Sequence, residues 1–584
     1  MDIAKYYSTF DKLCNKSIFM KDNTGNKRTI SIGNENFADI IRNNDLYVDK
    51  TDFIKSWWEA RAKVTLITRP RRFGKTLTLS MIECFFSNEY VNQQDMFKNL
   101  NIYNDDSFMN LQGSYPVIRL SLNGTDSDNY ETTREFICQK IRKLYYKFEK
   151  ELGNRLDVTD RLCFEAVYAT MTDVVASDAI STLMFILYKY YHKPVIVLID
   201  EYDYPMQKAY ECGYWEKLVA FLRSILTNTL KSNDYLERAL LTGITLVSKE
   251  SIFSGLNNIS VNTVLDTEYA TSFGFTDNEI NIVLCEYDMI ERKQEITSYY
   301  NGFKFGNENI YNPWSILNFL NKRKIGNYWV NTSGNALIDT LIRKGNKELQ
   351  IDFEVLLSGG TITSMIDTRI VYKDLEYSDV AVYSLLVLSG YLKIVDIIDE
   401  IEAIYTVGIT NKETLNMFRS MVKSWFNRRQ YEGFIKYLLD DNVEQMNMYL
   451  SQILLDTFSY FDSSEKEPER FYHGFTLGLV VELNADYYTK SNRESGHGRY
   501  DLVLEPKSRN TNAIIIEFKV GDSFKSLEKV AEQAMEQIDK NRYDSDLLEK
   551  GFRKEQIKKY GIAFCRKEVV VVSNNIYTYV TKSQ

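Results

Sequence analysis

A chain of 584 residues, 44% hydrophobic and 26% charged, is too long for one core and too apolar for disorder, so about two to four domains are expected. A net charge of −9 excludes a protein that coats nucleic acid non-specifically, which needs many Lys and Arg at phosphates. It leaves room for a local basic groove or a metal site that handles phosphodiesters. The 7 Cys are scattered without a C-x-x-C pair, which argues against a disulfide framework or a zinc site. The N-terminus lacks a signal-peptide pattern and no apolar run reaches bilayer length, so a cytoplasmic protein without a membrane partner is expected.

In chain order, Val64–Thr68 reads as a short strand ending at Arg69-Pro70, and Thr76–Phe86 as an apolar helix. Pro116–Leu122 is a second strand. Pro194–Ile199 is nearly all β-branched or Leu, the pattern of a central parallel strand buried on both faces. Ala239–Thr245 gives a further strand. Strands separated by helical stretches predict a parallel, doubly wound α/β sheet over residues 1–271. From Ser272 to Tyr460 the pattern is mainly amphipathic helix, a lid or linker region (272–460). A charged, Ser-containing stretch around Phe461–Arg470 then opens a small separate α/β unit, 461–584.

Between the first strand and its helix stands Arg69-Pro-Arg-Arg-Phe-Gly-Lys-Thr76. The phosphate-loop pattern is G-x-x-x-x-G-K-[ST]: backbone N–H groups cradle phosphates, Lys reaches the terminal phosphates and the hydroxyl holds Mg²⁺. Arg69 occupies the position of the first Gly, while Gly74-Lys75-Thr76 is intact and placed where a helix N-terminus adds positive charge. Arg71 and Arg72 are further candidate phosphate contacts, and Phe73 and Leu77 complete the candidate nucleotide-binding run. The buried strand ends in Asp200-Glu201, where open α/β sheets place their ligands. Asp200 is the candidate Mg²⁺ ligand beside Thr76, and Glu201 the residue that orients attacking water.

The runs Arg69–Thr76, Leu198-Ile-Asp-Glu-Tyr-Asp203, Leu241–Thr245 and Ser251–Asn258 resemble the AAA-ATPase-like family, whose members often carry a C-terminal nuclease-type domain. Leu46–Thr51, Phe273–Thr276 and Tyr299–Phe303 extend the resemblance. It implies ATP as the nucleotide and a sensor-like Thr242 beside the γ-phosphate. No Arg stands out as a trans-acting finger; Arg223, on the helix after the acidic strand, is a candidate, with a solvated helical Arg as the alternative reading. Related ATPases form rings or dimers, so a homo-oligomer is among the implied states.

Near the C-terminus, Gly498-Arg-Tyr-Asp501 leads one strand and Ala513–Val520 forms the next. Side chains alternate along a strand, so Glu517 and Lys519 share a face, and Ile514, Ile516, Phe518 and Val520 are expected in a core on the other. Burying an acid and a Lys on an apolar strand is costly without a task or a partner. With Asp501 across a hairpin, two carboxylates and an ammonium suit one or two divalent ions that activate water, with the Lys orienting the water or offsetting charge. The pattern Asp…Glu-x-Lys, with Phe471–Phe475, Ser491–Asp501 and Ala534–Ile538, resembles the PD-(D/E)XK nuclease superfamily. The resemblance implies Asp501 and Glu517 as ligands of Mg²⁺ or Mn²⁺, Lys519 as catalytic base or water positioner, Gln537 lining the site, and a first-helix acid, Glu469 or Glu494. An ATP-regulated nuclease acting on DNA or RNA is the function so implied. The alternative is an ATP-driven signalling switch whose nuclease-like domain only binds nucleic acid or a protein.

Overall fold

The computed structural model describes residues 27–247, 252–253, 256–332, 335–370, 372–426, 428–458, 467–495, 498–521, 526–565 and 568–574. The chain divides into two compact units. The first comprises Met1–Thr332, Ser364–Tyr405 and Thr410–Glu413; the second comprises Ser333–Thr363, Thr406–Ile409 and Thr414–Gln584. Residues 272–332 thus continue the first unit, and they contribute strands as well as helices.

The first unit is built on a parallel sheet of five strands: β1 (Val64–Thr68), β2 (Val117–Ser121), β3 (Val195–Asp200), β4 (Leu236–Gly243) and β5 (Ile259–Asn262). Their order is β2-β3-β4-β1-β5, every pairing parallel. All residues of β1 and β3 are buried, which explains the unbroken apolar run Val195–Ile199 of β3. Helix α1 (Lys75–Phe86) leaves β1 through the Arg69–Gly74 loop, and α2 (Tyr130–Leu152) and α3 (Asp173–Tyr191) lie between β2 and β3 in sequence. Helix α4 (Trp215–Leu230) joins β3 to β4 and packs on α3. This order seats β4 between the loop-bearing β1 and the acidic β3, so the ends of all three strands converge at one edge.

A second core in this unit gathers Leu46 and Val48 with residues of β6 (Phe275–Thr276), β8 (Glu308–Tyr311) and α5 (Pro313–Lys322). Strand β7 (Phe303–Phe305) pairs antiparallel with β8, and β8 with β6.

The second unit contains α6 (Lys347–Leu357), α7 (Arg428–Leu439), α8 (Val443–Phe458) and α9 (Glu467–Leu483). They precede a mixed sheet of β9 (Tyr487–Ser495), β10 (Gly498–Pro506), β11 (Ala513–Val520), β12 (Ile557–Cys565) and β13 (Glu568–Ser573), paired in that order. All pairs are antiparallel except β11–β12, which is parallel because helix α10 (Leu527–Lys540) crosses between them. Ala513 and Ile515 lie in a core cluster with Ile538 of α10, while Leu527 and Ala531 pack with Ala563. A Cβ on Gly561 would stand 2.2 Å from the Ala531 carbonyl, so only glycine lets α10 sit this low on the sheet. Val520, expected in the core, is 55% exposed: it is the last residue of β11. Among the described residues no helix is long and apolar enough to cross a membrane.

Candidate functional sites

At the edge of the first sheet, Gly74 adopts φ +85° and stands before the first turn of α1, whose N-terminus has no side-chain cap. Its leading N–H groups, with the helix dipole behind them, form an anion-binding surface. Lys75 is buried, and its Nζ donates to the carbonyls of Arg69 and Pro70, both at 2.9 Å. Burial pushes this ammonium below its usual range, opposed by the nearby carboxylates of Glu201, Asp203 and Asp200. Thr76 and Leu77 lie in the same first turn.

Arg69 does not face this surface. Its side chain is fully buried, with Nη1 donating to the Thr68 and Asn262 carbonyls and Nη2 to Asn262 Oδ1 at 2.7 Å. The guanidinium also lies over the rings of Phe273 and Phe305, and burial draws its pKa down to about 9. Arg69 therefore ties the end of β1 to β5. The Phe73 ring packs between Phe303 and Phe305, so only its backbone faces the loop interior. Arg72 stacks on Trp314 and pairs with Glu35 at 3.5 Å. Arg71 makes no hydrogen bond or ion pair through its guanidinium among the described residues; its carbonyl accepts from Trp329 Nε1 at 3.0 Å.

Opposite the loop, Thr242 Oγ1 donates to Asp200 Oδ1 at 2.6 Å. Glu201 takes φ +51°, its Oε2 is buried without a hydrogen-bond partner among the described residues, and burial with the Asp200 charge raises its carboxyl to about 7. An oxygen buried without a partner suits a ligand-borne proton or water. Arg223 is half-buried on α4.

Further residues support this site. Asp203 Oδ2 accepts from the N–H groups of Ile244 and Thr245, each at 2.9 Å, clamping the turn after β4. That turn begins at Gly243, where a Cβ would lie 2.6 Å from the Tyr202 ring. Asn312 reaches the carbonyls of Arg71 and Arg72. Glu413, buried, accepts from Ser315 Oγ at 2.8 Å and from the Trp329 N–H at 2.6 Å, fixing the Trp that holds Arg71. Asp203 closes the quoted run Leu198–Asp203, whereas Asn312 and Glu413 come from distant sequence and carry no local signature.

In the second unit, paired residues on β10 and β11 run only from Leu504↔Ile514 to Leu502↔Ile516. One step beyond, side chains take over from the backbone ladder: Asp501 Oδ2 accepts from the Phe518 N–H at 2.8 Å, and the Glu517 carboxylate accepts from the Asp501 N–H. Gln537 on α10 spans the pair, its Nε2 donating to Glu517 Oε1 and its Oε1 accepting from Lys519 Nζ at 2.7 Å. Glu517 is 3% exposed, and burial plus the Asp501 charge lift its carboxyl to about 8. Its Oε2 is buried without a hydrogen-bond partner among the described residues. Tyr543 receives a further bond from Gln537 Nε2 at 3.1 Å.

The side chains of Glu469 and Glu494 lie outside the described residues. A different acid, Glu354 of α6, is 2% exposed; burial first and Asp501 second push its carboxyl well above the usual range. Nothing in the local sequence of Glu354 connects it to residue 501. Among the described residues no three His, Cys, Asp or Glu side chains gather closely enough to hold a metal by themselves. The all-oxygen donors at both places nevertheless fit a hard divalent ion, which takes one or two carboxylates and fills its shell with water and phosphate oxygens.

A parallel sheet with a phosphate-type loop facing an acidic strand end, and a mixed sheet bearing Asp501, Glu517 and Lys519, define a chain with one ATPase-like and one nuclease-like domain. Residues 31–253 match the family described as Predicted AAA-ATPase, and residues 467–574 match the PD-(D/E)XK nuclease superfamily; the chain carries both domains. It is also 25% identical over 578 residues, 94% of its length and 98% of the relative's, to an "Uncharacterized protein in vnfD 5'region" of Azotobacter chroococcum mcd 1.

Proposed function

We propose that this protein binds and hydrolyses ATP at the Gly74–Leu77 helix terminus and uses that nucleotide to regulate phosphodiester cleavage of nucleic acid at Asp501, Glu517 and Lys519. The observation that carries the second half is the Gln537 bridge. It holds an acid and a lysine, both otherwise expensive to bury, at one place on the sheet. In the first unit, Lys75 and the backbone of Gly74–Leu77 bind phosphates, with Arg71 free to add charge. Thr76 and Asp200 would hold Mg²⁺, which supplies charge neutralisation along the phosphates when bound. Glu201, with its raised carboxyl, accepts a proton from the attacking water.

In the second unit Asp501 and Glu517 would hold Mg²⁺ or Mn²⁺, which when bound polarises the scissile phosphate. Lys519, oriented by Gln537, positions water and offsets charge on the phosphodiester. The test uses the full chain with linear DNA, circular DNA and RNA, with and without ATP, in Mg²⁺ or Mn²⁺. Wild type is expected to cleave in an ATP-dependent manner. Lys519→Ala should abolish cleavage while keeping ATP binding, and Lys75→Ala should lose ATP affinity. Cleavage unchanged by Lys519→Ala sinks the nuclease assignment; ATP affinity unchanged by Lys75→Ala sinks the nucleotide site.

A further inference from the structure

We infer that a short arm, the strand Arg369–Ile370 with the helical turn Tyr372–Glu376, makes ATP turnover control cleavage. Tyr372 is its positioning residue. This rests on the ATP-regulated reading above and names the part of the fold that performs the regulation. The arm lies outside the stretch that matches the ATPase family, residues 31–253, although it belongs to the same compact unit.

The arm meets the nucleotide site at the turn after β4. That turn continues from Thr242, the donor to Asp200, and its Thr245 is held on three atoms by the residues that follow the acidic strand end. The Thr245 N–H and hydroxyl both donate to Asp203 Oδ2, at 2.9 and 3.0 Å, and the Thr245 carbonyl accepts from the Tyr202 hydroxyl at 2.6 Å. The next residues, Leu246 and Val247, pair in parallel with Arg369 and Ile370. Tyr372 then returns to Thr245: it is 5% exposed, and its hydroxyl reaches the Thr245 side chain. Burial first, and the Asp203 charge second, hold the phenol above its ordinary range, so it stays a neutral O–H beside that clamp. Its ring packs against Tyr210 at 5.6 Å and Trp215 at 5.1 Å between centroids. Tyr210 belongs to the helix Tyr204–Glu211 that follows Asp203, and Trp215 opens α4. One side chain thus touches the turn after β4 and both helices that follow the acidic strand end.

The rest of the arm is lightly held. Its ion pair, Lys373 with Glu216, is exposed at both ends and adds little. The Tyr210 hydroxyl donates to Glu376 at 3.0 Å at the surface. The two-residue pairing with Leu246 and Val247 is shorter than an ordinary strand. Tyr372 is therefore the link that makes the arm follow the turn, and the turn follows Thr242 and Asp200, which face the terminal phosphate when nucleotide is bound. In the other direction the chain leads from the arm back to α6, with Glu354 standing 18 positions before Tyr372. Glu354 is the buried acid whose carboxyl responds to the Asp501 charge. Coupling needs an element that both sites bias. This stretch of chain is biased at one end by the turn after β4 and at the other by the acid that senses Asp501.

Paired measurements on the full chain test this: ATP affinity by calorimetry, kcat and KM for phosphate release, and cleavage of linear DNA and RNA with and without ATP. ATP should change wild-type cleavage at least about fivefold. Tyr372→Phe keeps the ring contacts and removes the hydroxyl, and Tyr372→Ala removes both. Each should lower kcat for ATP about fivefold or more, while KM and ATP affinity stay within about twofold of wild type. Each should also bring cleavage with ATP to within about twofold of cleavage without it, the rate without ATP remaining that of wild type. Thermal melting identifies a variant that fails to fold; if Tyr372→Ala fails, Tyr372→Phe carries the comparison. A folded Tyr372→Phe or Tyr372→Ala that keeps the wild-type ATP response overturns the arm and leaves the ATP and cleavage sites standing. Wild-type cleavage that ignores ATP overturns the regulatory reading itself, and the arm with it.

Discussion

The Thr242 hydroxyl donates to Oδ1 of Asp200 across 2.6 Å, joining the end of β4, the neighbour of the loop-bearing β1, to the end of β3. The bond occupies one carboxylate oxygen and holds the other in a fixed direction. Replacing Thr242 by Val keeps the shape and removes the donor. Hydrogen bonds to charged groups contribute about 1.5–3 kcal/mol, so ATP turnover should fall about tenfold or more. ATP affinity should change less, because the loop backbone and Lys75 remain. Phosphate release and calorimetry measure the two quantities separately, and Thr242→Ser should restore most of the turnover.

Arg69 stands where the usual phosphate-loop pattern has its first Gly, and restoring that Gly should harm the protein. Arg69→Gly removes a buried guanidinium and leaves the Asn262 side chain and carbonyl without its bonds. Each buried group left unsatisfied costs about 1–3 kcal/mol. Equilibrium denaturation should show a loss of about 3 kcal/mol or more, with no gain in ATP affinity. A stable variant with faster turnover would mean that the side chain impedes the chemistry after all.

Glu413 gives a pH dependence of known sign. Burial raises its carboxyl from the ordinary range to about 7, although Ser315 and the Trp329 and Val330 N–H groups favour the charged form. The folded protein holds this proton where the unfolded chain has lost it. The stability present below the unfolded pKa of 4.5 is therefore lost as pH rises to about 7, with a slope of at most ~1.4 kcal/mol per pH unit. Glu201 and Glu517 are shifted in the same direction, so the informative quantity is a difference. Thermal melts of wild type and Glu413→Gln from pH 5 to 8 should diverge across this window. Parallel curves would remove Glu413 as a source.

Gln537 contacts both Glu517 and Lys519, and its truncation should uncouple them. Groups that orient metal ligands typically cost about 10–100-fold in metal affinity or activity when removed. Gln537→Ala should lower cleavage by that factor, with a fall in Mn²⁺ affinity measured independently by titration. A cleavage rate equal to wild type would leave Gln537 with packing alone.

Much of the architecture was legible in local patterns. The fully buried β3 announced itself as an unbroken apolar run, β1 as a short strand, and the turn at Gly74 as a glycine before Lys-Thr. The alternation of Glu517 and Lys519 placed both on one face of β11, where Gln537 meets them. The nearness of Glu354 on α6 to Asp501 was not legible, because helix period alone does not reveal what a distant helix packs against; the side chains of Glu469 and Glu494 lie outside the described residues. The role of Arg69 was equally hidden. Its place at the first Gly of the pattern says nothing of where the side chain goes, and the guanidinium turns towards Asn262, 193 residues away.

Residue type and short-range spacing were enough to define the strands, the loop with its helix terminus and the acid–lysine pair, since these depend on backbone periodicity and on which side chains tolerate burial. Tertiary structure decided everything that depends on strand order and distant packing. Placing β4 between β1 and β3 brought Thr242 to Asp200, and the absence of a side chain at Gly561 let α10 lower Gln537 onto Glu517. The segments 31–50 and 272–317 close a cavity at the helix terminus because their apolar residues share one core, a pairing that no window of local sequence encodes.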